Sequence, residues 1–167
     1  MRMPNSSYKI REMLPREYPA LRQFTYLAIH QPAGREQLPL DVVDREPELR
    51  ACHADFGRRG DHCLVAAVGG VLVGAVWARL GRGDARGYGH FDVHTPEIAI
   101  AVEDAHRGRG IGGALMRAML DHLKEAGYAR VSLSAQKENR AIQLYRRLGF
   151  AVARETDAEC VMVCELR

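Results

Sequence analysis

The stretch HRGRGIGGALM, from His106 to Met116, lies where an apolar strand gives way to the clearest helix of the sequence. Four glycines and two arginines precede its first run of apolar side chains. The first N–H groups of a helix lack partners within the helix, the helix dipole adds positive charge, and glycines let a ligand approach the backbone. The pattern therefore predicts a phosphate-binding loop supported by Arg107 and Arg109. The alternative is a plain glycine-rich loop with solvated arginines.

Around this loop, hydrophobic periodicity predicts a mixed α/β domain built on a single sheet. A Gly69-Gly70 turn joins the second predicted strand to the third. We expect all the elements to form one domain over residues 1–167. The predicted strands cover residues 8–12, 62–68, 71–79, 96–102, 129–135, 150–155 and 160–166, and the predicted helices cover residues 15–29, 45–56, 111–127 and 139–149.

The composition is that of an ordinary globular protein, with 47% of residues hydrophobic and 27% charged. A formal net charge of +3 is far below the dense basic footprint of a nucleic-acid-binding protein, so we expect no nucleic-acid partner. No apolar run reaches membrane-spanning length, and residues 1–13, MRMPNSSYKIREM, lack the hydrophobic region of a signal peptide. We therefore expect a cytoplasmic protein without a membrane partner.

Two groups of residues raise the question of a metal site. In HFDVH, the residues His90, Asp92 and His94 alternate and would share one face of an extended segment. No clear fourth ligand accompanies them, so we expect a polar lip of the substrate cleft and no metal. The cysteines form no Cys-x-x-Cys pair, which favours free buried thiols. These cysteines are Cys52, Cys63, Cys160 and Cys164.

The glycine loop also satisfies G-x-G-x-x-G through Gly108, Gly110 and Gly113, which makes a dinucleotide-binding domain the main structural competitor. The acidic residue expected about twenty positions later is missing, because Leu133 and two neighbouring serines occupy that region. The loop also follows an antiparallel hairpin instead of opening a parallel sheet. A nucleotide P-loop is excluded because no Gly-Lys-Ser/Thr follows.

Two motifs together carry a family resemblance. The segment VEDAHRGRGIGGALM resembles the central Arg/Gln-x-x-Gly-x-Gly/Ala motif of the GNAT superfamily of acyl-CoA-dependent N-acetyltransferases. The segment NRAIQLYRRLGF resembles the Asn-x-x-Ala-x-x-Leu-Tyr-x-x-x-Gly-Phe element of the same family, with Ile142 next to Ala141 at the alanine position. The first motif is matched at Arg107, Gly110 and Gly112, and the second at Asn139, Leu144, Tyr145, Gly149 and Phe150.

The resemblance implies a single mixed, twisted, mostly antiparallel sheet of about seven strands flanked by about four helices. It implies that the backbone of Ala101 and Val102 pairs with the pantetheine arm of acetyl-CoA, as an added strand would. The proline common shortly after that valine is absent, and Glu103-Asp104 stands there instead. The remaining implied cofactor-binding residues are Arg107, Gly108, Arg109, Gly110, Ile111, Gly112 and Asn139.

Acyl transfer to an amine needs a base for the amine, whose free pKa is about 10.4, and an acid for the leaving thiolate. Several family members carry a glutamate that acts through water at the position of Glu97, and the resemblance gives Tyr145 the role of general acid toward the sulfur. The structural alternatives are a solvated carboxylate at a strand entrance and an amphipathic core tyrosine.

We therefore expect an N-acetyltransferase that moves an acetyl group from acetyl-CoA to a primary amine by direct attack. The alternative is an acyl-CoA-binding sensor or interaction module without turnover. The acceptor would be an amine of a small molecule or peptide, and a homodimer is compatible with the closing strands. Candidate residues for the acceptor cleft are His53, His62, His90 and His94.

Overall fold

The computed structural model describes residues 7–167. Residues 1–6, which begin the segment predicted to lack a signal peptide, lie outside the described residues. Its strands are β1 (Lys9–Glu12), β2 (His62–Val68), β3 (Val71–Arg79), β4 (Glu97–Val102), β5 (Arg130–Gln136), β6 (Ala151–Glu155) and β7 (Glu159–Glu165). Its α-helices are α1 (Leu21–Ala28), α2 (Val42–Arg45), α3 (Pro47–His53), α4 (Ile111–Glu125) and α5 (Ala141–Arg147). Short 3₁₀ turns cover Pro15–Ala20 and Asp104–His106.

The strands form one seven-stranded sheet in the order β1-β2-β3-β4-β5-β7-β6. All neighbours pair antiparallel except β4 and β5, which are parallel and share the single register pair Glu97–Ser132. The predicted mixed and mostly antiparallel sheet is therefore confirmed. Within the described chain, no helix is both long and apolar enough to cross a membrane.

Two predicted helices differ from the observed ones, and a proline explains each difference. The expected helix over residues 15–29 begins as a 3₁₀ turn that contains Pro19, because proline offers no N–H and its ring clashes with the carbonyl four residues earlier in an α-helix. The expected helix over residues 45–56 is observed only as α3, and a separate short helix that was not predicted, α2, precedes it. Between the two helices, the backbone of Glu46 is extended at φ −80° and ψ 117°. Glu46 precedes Pro47, which disfavours the helical conformation.

The helices cover both faces of the sheet and define two cores. One face of β4, carrying Ile98, packs with α4 and α5 in a large apolar cluster. The opposite face, carrying Ala101, packs with α1 in a second cluster around Trp77. The alternation of β7 places Cys160 and Cys164 on the buried side, as strand periodicity predicts. All four cysteines are free thiols, and Cys52 is half-buried.

A buried ion pair ties α3 to the sheet. Arg79 Nε lies 3.1 Å from Asp61 Oδ1, and the two side chains are only 11% and 5% exposed. Arg79 Nη1 also donates to the carbonyl oxygens of Ala51 at 2.9 Å and Ala54 at 2.7 Å, at the end of α3. The guanidinium therefore satisfies acceptors that the helix itself leaves unpaired.

We expect Arg79→Ala to lower the free energy of unfolding by about 3–5 kcal/mol, because it leaves the Asp61 carboxylate buried without its partner. Urea unfolding at neutral pH measures this loss. The matched control is Arg45→Ala, which removes the exposed Arg45–Asp41 pair, with side chains 62% and 59% exposed. The control should change stability by less than about 1 kcal/mol. Equal losses in the two variants would contradict the assignment.

Candidate active site

The candidate active site is a cavity of about 370 Å³ between β4 and β5. The two strands pair at Glu97 and Ser132 and hold no further register pair beyond that point among the described residues. The gap that opens between them is lined by Ile98, Ala99, Ile100, Leu133, Ser134, Ala135 and Gln136.

The cavity passes from one face of the sheet to the other. Ile98 and Ile100 belong to the side of the sheet covered by α4 and α5, where Tyr145 also packs. Glu97 and Ala99 point to the opposite side, because neighbouring strand residues alternate between faces. Both Glu97 and Tyr145 line the same cavity. The structure thus brings the two predicted catalytic residues to one opening, from opposite faces of the sheet.

A segment of the β3–β4 loop lies at the narrow end of this opening. The N–H of Gly89 donates to Glu97 Oε2 at 2.8 Å, and the Gly89 carbonyl accepts the Ser132 hydroxyl at 2.7 Å. A Cβ atom on Gly89 would lie 2.6 Å from the Ser134 nitrogen, and one on Gly87 would collide with the Glu97 carboxylate. Only glycines fit here, so the loop backbone rests directly on β5 and on the carboxylate.

Burial sets the protonation of Glu97. Desolvation raises the pKa of its carboxyl group to about 7, although hydrogen bonds from the N–H groups of Gly89 and Gly87 act in the opposite direction. Glu97 is half-buried and lines the cavity. A carboxylate with this pKa is suited to accept a proton near neutral pH.

Tyr145 is held by packing alone. The residue is 7% exposed, and its ring lies 6.0 Å from the ring of Phe150. Burial raises the pKa of its phenol to about 12, so the hydroxyl stays protonated at working pH. Tyr145 lines the cavity, and within residues 7–167 no hydrogen bond engages its hydroxyl. It is therefore available to donate a hydrogen bond to a ligand there.

The glycine loop adopts the geometry that its sequence predicts. Gly108 and Gly110 have φ angles of +74° and +80°, a region that favours glycine. Helix α4 begins at Ile111 without a side-chain cap. Among the described residues, the N–H groups from Gly108 to Gly113 find no protein acceptor, and the first helical bond runs from Ala114 to Gly110. This row of exposed donors can bind a phosphate group.

The two arginines of the loop, Arg107 and Arg109, differ in their contacts with the protein. Arg107 Nε donates to the Val102 carbonyl at 3.1 Å, and its Nη1 lies 3.2 Å from Asp104. The Glu103 N–H donates to the Val73 carbonyl at 2.8 Å. These bonds fix the path of the loop where the family's proline is missing. Arg109 is exposed beside the free N–H groups, where it adds positive charge.

The backbone of β4 offers one set of groups to the gap. The Glu103 N–H points to β3, whereas the Pro96 carbonyl accepts the Ser132 N–H of β5. Because N–H and C=O groups alternate in direction along a strand, Ile98, Ile100 and Val102 direct theirs toward the gap. The backbone groups of Ala101 point toward β3, where Ala101 pairs with Ala75.

Asn139 lies at the start of α5 and lines the cavity. Its side-chain oxygen accepts the N–H of Ala141 at 2.9 Å, so it caps the helix that carries Tyr145.

The β3–β4 loop, residues 80–96, contains Asp92, one of the residues that raised the question of a metal site. Its Oδ1 accepts the His94 N–H and the Thr95 hydroxyl, each at 2.8 Å. Within the described part of the chain, no cluster of three metal-binding side chains occurs.

The predicted acceptor-cleft histidines lie elsewhere. His53 contacts the Val43 carbonyl at 2.9 Å, and His62 contacts His122 of α4 at 2.9 Å. Among the described residues that line the cavity, the one histidine is His30. No local pattern in the sequence marks six further lining residues: Thr25, Glu46, Cys52, Trp77, Tyr88 and Glu159.

This fold and site define a class. Residues 10–150 match the family model described as the acetyltransferase (GNAT) family, so the chain belongs to that family. Its fold is similar to the structure of yncA, a putative acetyltransferase from Salmonella typhimurium with its cofactor acetyl-CoA. The TM-score is 0.67 at 22% identity, over 97% of this chain and 95% of that one.

Two curated relatives show the range of the family. A mycothiol acetyltransferase from Corynebacterium efficiens is 32% identical over 111 residues, which are 66% of this chain and 34% of that protein. The N-alpha-acetyltransferase RimI from Mycobacterium tuberculosis is 40% identical over 92 residues, which are 54% of this chain and 52% of that protein. The matched segments span about a fifth to a third of the mycothiol acetyltransferases.

Proposed function

We propose that this protein transfers the acetyl group of acetyl-CoA to a primary amine by direct attack. The observation that carries the proposal is the cavity through the sheet, which Glu97 enters from one face and Tyr145 from the other. The relatives named above are acetyltransferases, which supports the class of reaction. The acceptor is an amine of a small molecule or a peptide.

The residues of this chain fit acetyl-CoA. The free N–H groups from Gly108 to Gly113 would bind its diphosphate, with Arg109 beside them and Arg107 fixing the loop. Ile100 and Val102 would pair with the pantetheine arm, in place of the predicted Ala101, because their backbone groups face the gap. Asn139 would line the path of the arm where α5 begins.

The bound thioester supplies the activated acetyl group, and residues of the chain move the protons. The Glu97 carboxylate accepts the proton of the amine through a water molecule, which leaves the nitrogen lone pair free to attack the carbonyl carbon. The Tyr145 hydroxyl donates a proton to the sulfur as the carbon–sulfur bond breaks, and the proton that the attacking nitrogen loses as the amide forms restores the phenol, while the proton on Glu97 passes to solvent. The products are an N-acetylated amine and the free thiol of coenzyme A.

The cysteine in the cavity favours direct attack over an acyl-cysteine route. The Cys52 thiol donates to the Glu48 carbonyl at 3.4 Å. Burial, and secondarily the nearby Glu97, raise the pKa of this thiol above its ordinary value. Because the thiolate is the reactive form, Cys52 is a poor nucleophile in this site.

Two measurements on the purified protein test the proposal. Calorimetry with coenzyme A tests binding, and release of free thiol from acetyl-CoA with a panel of primary amines tests turnover. We expect both binding and acceptor-dependent thiol release. Binding without thiol release for any amine would favour the acyl-CoA sensor instead. The absence of any binding would exclude both functions.

We expect Tyr145→Phe to lower kcat by roughly 10²-fold, because the sulfur loses its proton donor. The affinity for coenzyme A should change by less than about twofold, since Tyr145 belongs to α5 and not to the phosphate loop that precedes α4. Steady-state kinetics and calorimetry measure the two quantities. An unchanged kcat would reject the role of general acid.

A further inference from the structure

The cavity is acidic on the side of the sheet where Glu97 lies. Its described lining residues include three carboxylates, Glu46, Glu97 and Glu159, and one histidine, His30. Of the described residues that line it, none is lysine or arginine, although the chain holds 24 of these residues and carries a net charge of +3. The local charge is therefore opposite in sign to the charge of the whole protein.

Two of these carboxylates come from different elements that line the cavity. Glu46 precedes α3, and Glu159 begins β7, where it pairs with Gln136 of β5. Cys160 and Met162 of β7 belong to the core under α4 and α5, so Glu159 points to the other face, together with Glu97. Within residues 7–167 neither Glu46 nor Glu159 forms an ion pair with this chain.

The charges of Glu46 and Glu159 both act on Tyr88, a residue that lines the cavity. The pKa of the Tyr88 phenol, which lines the cavity, is raised first by burial and then by the negative charges of Glu48, Glu46 and Glu159. Tyr145, which packs on the α4 and α5 side of the sheet, lines the same cavity, so the acceptor side with these carboxylates adjoins the proposed acyl-transfer site. Glu159 is half-buried and Glu46 is exposed, so these two acidic groups lie at the rim of the cavity.

We propose that the acceptor carries a second cationic group besides its reacting amine, and that Glu46 and Glu159 hold this group. The substrate class is an aliphatic diamine or a longer polyamine. This inference rests on the proposed acetyl transfer, and it names the acceptor for the same site. An amine with a neighbouring carboxylate is disfavoured, because the carboxylate would meet like charges in a partly desolvated site.

The first test uses three acceptors with the same carbon chain. These are 1,4-diaminobutane, 1-aminobutane and 4-aminobutanoate, which end in a cation, a methyl group and a carboxylate. We expect kcat/KM for the diamine to exceed that of the monoamine by roughly 5- to 25-fold, beyond the statistical advantage of two equivalent amines. The 4-aminobutanoate value should fall below that of the monoamine.

The second test changes the charges of the cavity. Glu46→Gln and Glu159→Gln should each reduce the ratio of diamine to monoamine kcat/KM by about threefold to fivefold. The matched control is Glu125→Gln, which removes the same charge from an exposed position on α4. The control should keep the wild-type ratio, and an equal loss in the control would overturn the assignment to Glu46 and Glu159.

A binding measurement separates failure of this inference from failure of the proposed function. Trp77 is the one tryptophan of the chain and lines the cavity, so its fluorescence reports binding of an acceptor. Diaminobutane should bind more tightly than aminobutane in the presence of coenzyme A. Selective binding of the diamine without thiol release would refute the transferase and retain the cationic site. Thiol release with equal preference for all three amines would refute the cationic site alone.

Discussion

Glu97→Gln is expected to lower kcat by roughly 10²- to 10³-fold at pH 7.5, the larger of the two losses expected from the catalytic side chains. The amide keeps the shape of the side chain and can still accept one of the two glycine N–H groups, but it cannot accept a proton. Steady-state release of thiol from acetyl-CoA with a saturating amine measures the effect. A variant with more than half of the wild-type kcat would show that Glu97 is not the base.

The pH dependence of kcat gives a second readout of the same role. The carboxyl of Glu97 has a pKa raised to about 7, so the active carboxylate is lost as the pH falls through that value. We expect log kcat of the wild type to fall with unit slope below pH 7, and this limb to disappear in Glu97→Gln. The Tyr145 phenol, with a pKa raised to about 12, stays protonated and should produce no falling limb below pH 10.

The same substitution should stabilise the folded protein at neutral and alkaline pH. The folded pKa of Glu97 lies above its ordinary value, so the folded state binds this proton more tightly than the unfolded state does. The resulting stability is complete below pH 4.5 and is lost as the pH rises through about 7. The unfolding free energy of Glu97→Gln relative to the wild type should therefore rise by up to about 3 kcal/mol between pH 4.5 and pH 8. A difference independent of pH would contradict the burial of this carboxylate.

Gly89→Ala is expected to abolish most activity and to lower the free energy of unfolding by about 2–4 kcal/mol. The added methyl group would lie 2.6 Å from the Ser134 nitrogen and 2.7 Å from the Leu133 carbonyl carbon. Both contacts are with backbone, so the loop must move, and the N–H that holds the Glu97 carboxylate moves with it. Thermal or urea unfolding measures the stability, and thiol release measures the activity.

Gly83→Ala is the matched control in the same loop. Gly83 has a φ angle of +54°, but a Cβ atom there meets nothing within 4 Å. The control should cost only about 1 kcal/mol of backbone strain and should keep most of the activity. If the two alanine variants lost stability and activity equally, the close contact of Gly89 with β5 would not be the cause.

The order of the elements and the glycine loop were predictable because each depends on neighbouring residues. Apolar runs identified β2, β3 and β7, with the Gly69-Gly70 turn between the first two, and the helical period of Ile111, Leu115 and Met119 identified α4. The positive φ angles of Gly108 and Gly110 follow from the turn that leads into the helix. The errors at α1 and between α2 and α3 were also local in origin, since Pro19 and Pro47 define the true boundaries.

The amino-acid sequence by itself thus determined the sheet, the free N–H groups at the start of α4, and the identities of Glu97 and Tyr145 as candidates. Only the tertiary structure decided which residues face the acceptor, because Glu46, Trp77 and Glu159 meet across elements that are far apart in the chain. It also decided the protonation of Glu97, since the burial that raises the pKa of this carboxyl comes from the folded loop around Gly87 and Gly89. Desolvation and charge depend on what surrounds a group in space, and no local pattern carries that information.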